Sequence, residues 1–161
     1  MNNMRIHVLP DIHLEFQRWR RNWDIQTIDC DVHVLAGGRL MRAGKRLTWR
    51  KVVEWHRIAR EFLERELPKR GDWDRTVIVT HHAPSAYGVE EPTSPDHLDA
   101  AYASPLDHLI PLADCWIHGH VHRADDYSGR LGGRVIRNAR GYADTGYDAV
   151  DGFQWNRVVS L

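Results

Sequence analysis

With 161 residues, 42% of them apolar, and 22 basic side chains balancing 22 acidic ones, the chain has the size and composition of one domain around one buried core. The formal charge of zero supplies no electrostatic reason to take nucleic acid or an anionic membrane as the main partner, and no stretch nears the roughly 20 apolar residues of a membrane span. Two distant cysteines, Cys30 and Cys115, are too few for a disulfide framework and read as buried, reduced thiols.

The start of the chain, Met1 to Arg5, leads into an apolar run broken by Pro10, Asp11 and His13. It is too short and too polar for a signal peptide, so a soluble cytoplasmic protein is the expectation. Ile6 to Leu9 reads as a short buried strand ending at Asp11-Ile12-His13. The stretch from Glu15 to Asp24 has no clear period. Val32 to Ala36 is a second strand, stopped by Gly37-Gly38, and the basic stretch from Gly38 to Arg46 reads as a loop. From Thr48 to Leu67 the pattern turns helical. Val52, Trp55, Ala59, Phe62, Leu63 and Leu67 recur at spacings of three and four, with Thr48 as N-cap and Pro68 just beyond the end. Thr76 to Thr80 is a β-branched strand running into His81-His82-Ala83-Pro84, and Ser85 to Pro95 reads as a surface loop. A short helix is expected around Leu98 to Leu109. Cys115-Trp116-Ile117 is a strand ahead of His118-Gly119-His120-Val121-His122, and Arg134 to Ile136 and Arg157 to Val159 are closing strands. This order predicts a single mixed α/β domain over 1–161.

Three polar clusters stand directly after three apolar strands, where α/β folds place ligands. Asp11 and His13 are two residues apart, so in extended backbone both reach one face. Of His81 and His82, one is expected to face inward and the other to pack or cap, because a buried imidazole needs a partner. His118, His120 and His122 alternate around Gly119, which allows close backbone approach or an unusual φ. Histidine is the commonest metal ligand and titrates near neutrality. Alternating histidines after an apolar strand therefore point to a metal site more than to packing.

In this order the clusters resemble the calcineurin-like metallophosphoesterase family. Asp11 and His13 match its D-x-H element, Thr80-His81-His82-Ala83-Pro84 its histidine after a β-branched strand, and Gly119-His120-Val121-His122 its G-H-x-H element. Asn138-Ala139-Arg140-Gly141-Tyr142 is similar to an N-P-R-G-Y stretch of a bacterial branch. The chain departs from the pattern at Gly38, where the aspartate of a G-D element is expected, and it has no G-N-H-E element. The resemblance implies a shortened, layered α/β/β/α domain with a mixed sheet. It also implies hydrolysis of a phosphomonoester or phosphodiester by a metal-activated water. Carried over, Asp11, His13 and His122 hold one divalent ion (Mn2+, Fe2+ or Zn2+), while His81 and His120 alone make a second, weak site. His82 or His118 then stands in for the missing proton donor, while Arg140 is expected in a surface or packing role ahead of a contact to a substrate phosphate.

Two alternatives follow from the same residues. A non-catalytic metal-binding or assembly module is favoured by the missing ligands, with homo-oligomerisation through edges that a shortened sheet exposes. A mononuclear Fe2+ enzyme would use Asp11, His13 and His122 as a facial triad.

Overall fold

The computed structural model describes residues 5–10, 32–36, 41–42, 45–46, 49–69, 71, 74–89, 102–141 and 152–161. Strands β1 (Arg5–Pro10), β2 (Val32–Ala36) and β9 (Val158–Ser160) form a three-stranded sheet in the order β2-β1-β9. Pairing is parallel between β1 and β2 and antiparallel between β1 and β9. A second, four-stranded sheet has the order β5-β6-β8-β7. Its strands β5 (Val77–Thr80), β6 (Cys115–His118) and β8 (Arg134–Asn138) run parallel, and β7 (Ala124–Ser128) is antiparallel at the edge. One helix, α1 (Trp49–Glu66), is present among the described residues. The domain is thus of mixed α/β character, as its sequence predicts.

Alternation along β6 explains why this sheet is covered on both sides. Cys115 and Ile117 join Ile136 and Val159 in one core cluster, with Val77 and Leu161 packed against it. Across the sheet, Trp116 and Val135 join Leu106, Leu109 and Ile110, with Leu63 of α1 and Leu67 just beyond it against them. Successive side chains of a strand point to opposite faces, so a strand buried on both faces reads as an unbroken apolar run. The first cluster faces the three-stranded sheet, where β1 approaches β6 and β8 and β2 approaches β5. The second faces the helix.

Helix α1 fills the expected span and stops where Pro68 cannot continue the ladder. Its buried stripe is narrower than the periodicity suggests: Leu63 and Leu67 pack inward, whereas Ala59 and Phe62 are exposed. The outer face is laced by Arg57–Glu61 at 2.6 Å and Arg60–Glu64 at 2.7 Å. The Thr48 cap and the segment from Glu15 to Asp24 lie outside the described residues.

Three expectations are corrected and one strand is added. The stretch from Gly38 to Arg46 contains an antiparallel pair, β3 (Met41–Arg42) and β4 (Lys45–Arg46). The described part of the expected Leu98 to Leu109 helix is not helical. There Ala103 bridges to Ala83, and Pro105, which lacks an N–H, interrupts any helical ladder before the 3-10 turn Ile110–Leu112. Ser85, expected on a surface loop, is 2% exposed and donates to Asp107 Oδ1 at 2.6 Å, ahead of a 3-10 turn Ala86–Gly88. Strand β7 has no counterpart among the expected elements, because Asp125 and Asp126 disguise it. In the structure they meet Arg137 and Arg134 of the neighbouring strand.

Cys115 is buried and its thiol is free. Burial pushes the thiol up to about 11, so it stays protonated and unreactive at neutral pH. Cys30 lies outside the described residues. No described helix is long and apolar enough to cross a membrane.

Candidate metal centre at the strand ends

Because β5, β6 and β8 are parallel, their C-terminal ends share one edge of the sheet. The backbone there is tied together directly: Gly119 N–H donates to the His81 carbonyl at 3.1 Å. The exit of β5 is fixed from the core. Trp116 Nε1–H donates to Thr80 Oγ1 at 2.9 Å, and that hydroxyl donates to the His82 carbonyl at 2.7 Å. A buried indole and a strand-end hydroxyl therefore set the turn that presents the two histidines.

Three imidazoles meet at this edge. The ring centroids of His81 and His120 are 4.7 Å apart, those of His82 and His120 4.6 Å, and those of His81 and His82 5.2 Å. Tyr102 stacks on His120 at 5.0 Å with an interplanar angle of 29°. His81 is partly buried and His82 exposed. The expectation that one of the pair faces inward thus falls to His81.

The backbone of the G-H-x-H stretch is tightly folded. Val121 N–H donates to the Gly119 carbonyl at 2.7 Å, and Arg123 N–H to the Val121 carbonyl at 2.7 Å. Each is a three-residue γ-turn, centred on His120 and on His122. The φ of His120 is 61°, in the left-handed region that costs a non-glycine residue about 1–2 kcal/mol. The unusual φ expected at Gly119 falls instead on the histidine. A γ-turn with positive φ at its centre is rare and strained, and this one turns His120 back onto His81 and His82.

His118, only two residues earlier, goes elsewhere. It is fully buried on the helix-facing side of the sheet. Its Nδ1 lies 2.9 Å from the Gly119 carbonyl, which only accepts, so Nδ1 carries the proton and Nε2 accepts from Tyr127 Oη at 3.2 Å. Burial above all, with Arg137 and His81 adding to it, lowers His118 to about 4 against the opposing effects of Gly119 and Asp125. Burial likewise pushes the Tyr127 phenol up to about 12. Both nitrogens are engaged and the ring is neutral at pH 7. This environment suits packing rather than proton delivery to solvent.

Arg140, 9% exposed, lies over the Trp155 ring at 5.3 Å. Asn138 Nδ2 donates to the Gln154 carbonyl at 2.8 Å and Asn138 Oδ1 accepts from Gln154 N–H at 3.0 Å. These contacts clip the 152–156 turn onto the end of β8.

Shared coordination needs ring nitrogens, not ring centroids, to converge on one point at about 2.0–2.1 Å from the ion. Among the described residues, however, no group of three or more His, Cys, Asp or Glu side chains converges to hold an ion. His122, partly buried, does not complete such a set with them. Asp11 and His13, which the resemblance adds, lie outside the described residues. Sequence reasoning missed Tyr102, Thr80 and Trp116 as neighbours of the histidines. Thr80 and Trp116 stood in the strands already singled out, while Tyr102, in an Ala-Tyr-Ala stretch, offered no signal. Comparison of the chain with family models, with curated proteins and with solved structures gives no match.

Proposed function

We propose that the protein is a divalent-metal-dependent phosphoesterase whose ligands gather at the C-terminal edge of the parallel strands. The observation that carries this reading is the packing of His81, His82 and His120 within 4.6–5.2 Å of one another at the edge where α/β sheets bind ligands. Two packed sheets with a helix on the outer face of one of them support a layered architecture of the metallophosphoesterase type. The free, buried Cys115 thiol suits a reducing compartment such as the cytoplasm.

A bound Mn2+, Fe2+ or Zn2+ would supply polarisation of a phosphoryl oxygen and acidification of a water. The chain's residues divide the remaining work. His81 and His120 are the described ligands, with Asp11, His13 and His122 completing the set by resemblance. His82, exposed beside them, is the residue suited to pass a proton to the leaving oxygen, in preference to His118. Arg140 is engaged with Trp155 and is not assigned to the substrate.

The test is hydrolysis of bis-p-nitrophenyl phosphate by metal-free protein reloaded with each divalent ion in turn. Metal-dependent turnover is expected, lost in His81→Ala and His120→Ala and reduced about 100-fold in His82→Gln. Absence of turnover with every ion would overturn the reading. A second reading, a non-catalytic metal-binding or assembly module, is favoured by Gly38 at the bridging position and would show metal retention without hydrolysis.

A further inference from the structure

Each carboxylate of β7 faces two guanidiniums. Asp125 meets Arg137 at 2.7 Å and Arg123 at 3.3 Å, and Asp126 meets Arg134 and Arg157. The second carboxylate is shared unequally. Arg134 commits Nε and Nη2 to the two Asp126 oxygens at 3.0 and 2.7 Å, and its Nη1 donates to the Ser160 carbonyl at 2.7 Å. Arg157 comes only to 3.8 Å from Asp126 Oδ2, beyond hydrogen-bond reach. A guanidinium carries five N–H donors, yet this one finds no acceptor among the described residues, and its Nε is sealed from solvent without one. The side chain is only 14% exposed. A cation so far removed from water needs acceptors that the protein does not supply. The place is the flank of the sandwich. Ile136, opposite Asp126 in register, belongs to the cluster between the two sheets, and Arg157 stands directly before β9 of the other sheet.

We infer that this flank binds a small oxyanion, a phosphate or carboxylate group, on the terminal nitrogens of Arg157 beside Arg134. Two parallel N–H groups of one guanidinium match two oxygens of such a group, and two cations for one carboxylate leave a positive charge there for it to neutralise. Asp126 repels the ligand, so the affinity is modest, with a dissociation constant of about 1 mM. Because Asp126 and Arg157 belong to different sheets, a bound anion ties β7 to the start of β9 and stabilises the folded chain by mass action. No metal and no histidine takes part.

The experiment uses the full, metal-free chain. The Arg157 Nε–H resonance is followed by NMR as sodium phosphate and, separately, sodium acetate are added, with ionic strength held constant by NaCl. A saturable shift is expected with at least one of them, and the anion that produces it assigns the ligand as phosphate, carboxylate or both. The same anion should raise the thermal unfolding midpoint of wild type and leave that of Arg157→Met unmoved. Arg157→Met breaks no hydrogen bond and should fold as wild type does. Asp126→Asn, which removes the competing carboxylate, should bind the anion about 3- to 10-fold more tightly. No saturable shift with either anion up to about 20 mM, or an equal rise of the midpoint in Arg157→Met, overturns the assignment. Phosphate held at the histidine edge would give that equal rise.

Discussion

Two histidines at one strand exit meet opposite environments. On the helix-facing side of the four-stranded sheet, His118 is sealed with Tyr127, Arg137 and Asp125 into a network in which each polar group has a partner. Arg137, with only 4% of its side chain exposed, makes two bonds to Asp125 at 2.7 and 2.8 Å, and its guanidinium also lies over the Tyr127 ring. At the sheet edge, His120 sits in a strained turn among His81, His82 and Tyr102, partly open to solvent. The first region is polar chemistry used for structure: neutral imidazole, matched charges, relaxed backbone. The second concentrates titratable rings, exposure and strain, a combination that persists only where the surroundings impose it. Histidine alone does not mark a functional site. The backbone that presents it and the partners on its nitrogens do.

The largest expected effect lies in the packed region. Asp125→Ala leaves the buried Arg137 guanidinium without its carboxylate and should cost about 3 kcal/mol in urea unfolding, while the ring contacts around His120 persist. A cost below about 1 kcal/mol would mean that this pair is not buried in the way described.

Nearly as large is a pH effect from His118. In the folded chain the ring is lowered from 6.5 to about 4, so between those values the unfolded chain binds more protons than the folded one. Stability is then fully present above pH 6.5 and is lost as pH falls towards 4. At about 1.4 kcal/mol per pKa unit, the loss is up to about 3 kcal/mol. Denaturant midpoints across that window should fall in wild type and flatten in His118→Leu. An equal slope in both would assign the effect to other groups.

The smallest effect separates strain from packing at the edge. His120→Gly and His120→Ala both remove the ring contacts, but only glycine relaxes a φ of 61°. The glycine variant should be more stable than the alanine variant by about 1 kcal/mol in thermal unfolding. Equal stabilities would remove strain from the account.

Much of the packed region was legible from residue order. Thr76 to Thr80 and Cys115 to Ile117 are β-branched or apolar runs, and the burial of Cys115, Trp116 and Ile117 follows from lying between a helix and a second sheet. The clusters after these two strands fall at one edge, because parallel strands end together. What stayed hidden depends on contacts distant in sequence. Asp125 and Asp126 look wrong for a strand until Arg137 and Arg134 stand beside them, and Tyr102 becomes relevant only through its pairing with Ala83. His118 and His120 share a residue type and a spacing that implies one face, yet a γ-turn at His120 breaks the alternation and sends them apart. Periodicity assumes regular backbone, so it fails where the backbone is strained.

Zinc binding to the metal-free protein, followed by calorimetry in wild type, His120→Ala and Tyr127→Phe, compares the two regions within one measurement. One ion per chain is expected in wild type, with affinity at least about 100-fold weaker in His120→Ala and unchanged in Tyr127→Phe, which touches only the packed side. Wild-type protein that takes up no ion, or a His120→Ala variant that binds as tightly as wild type, would contradict the account.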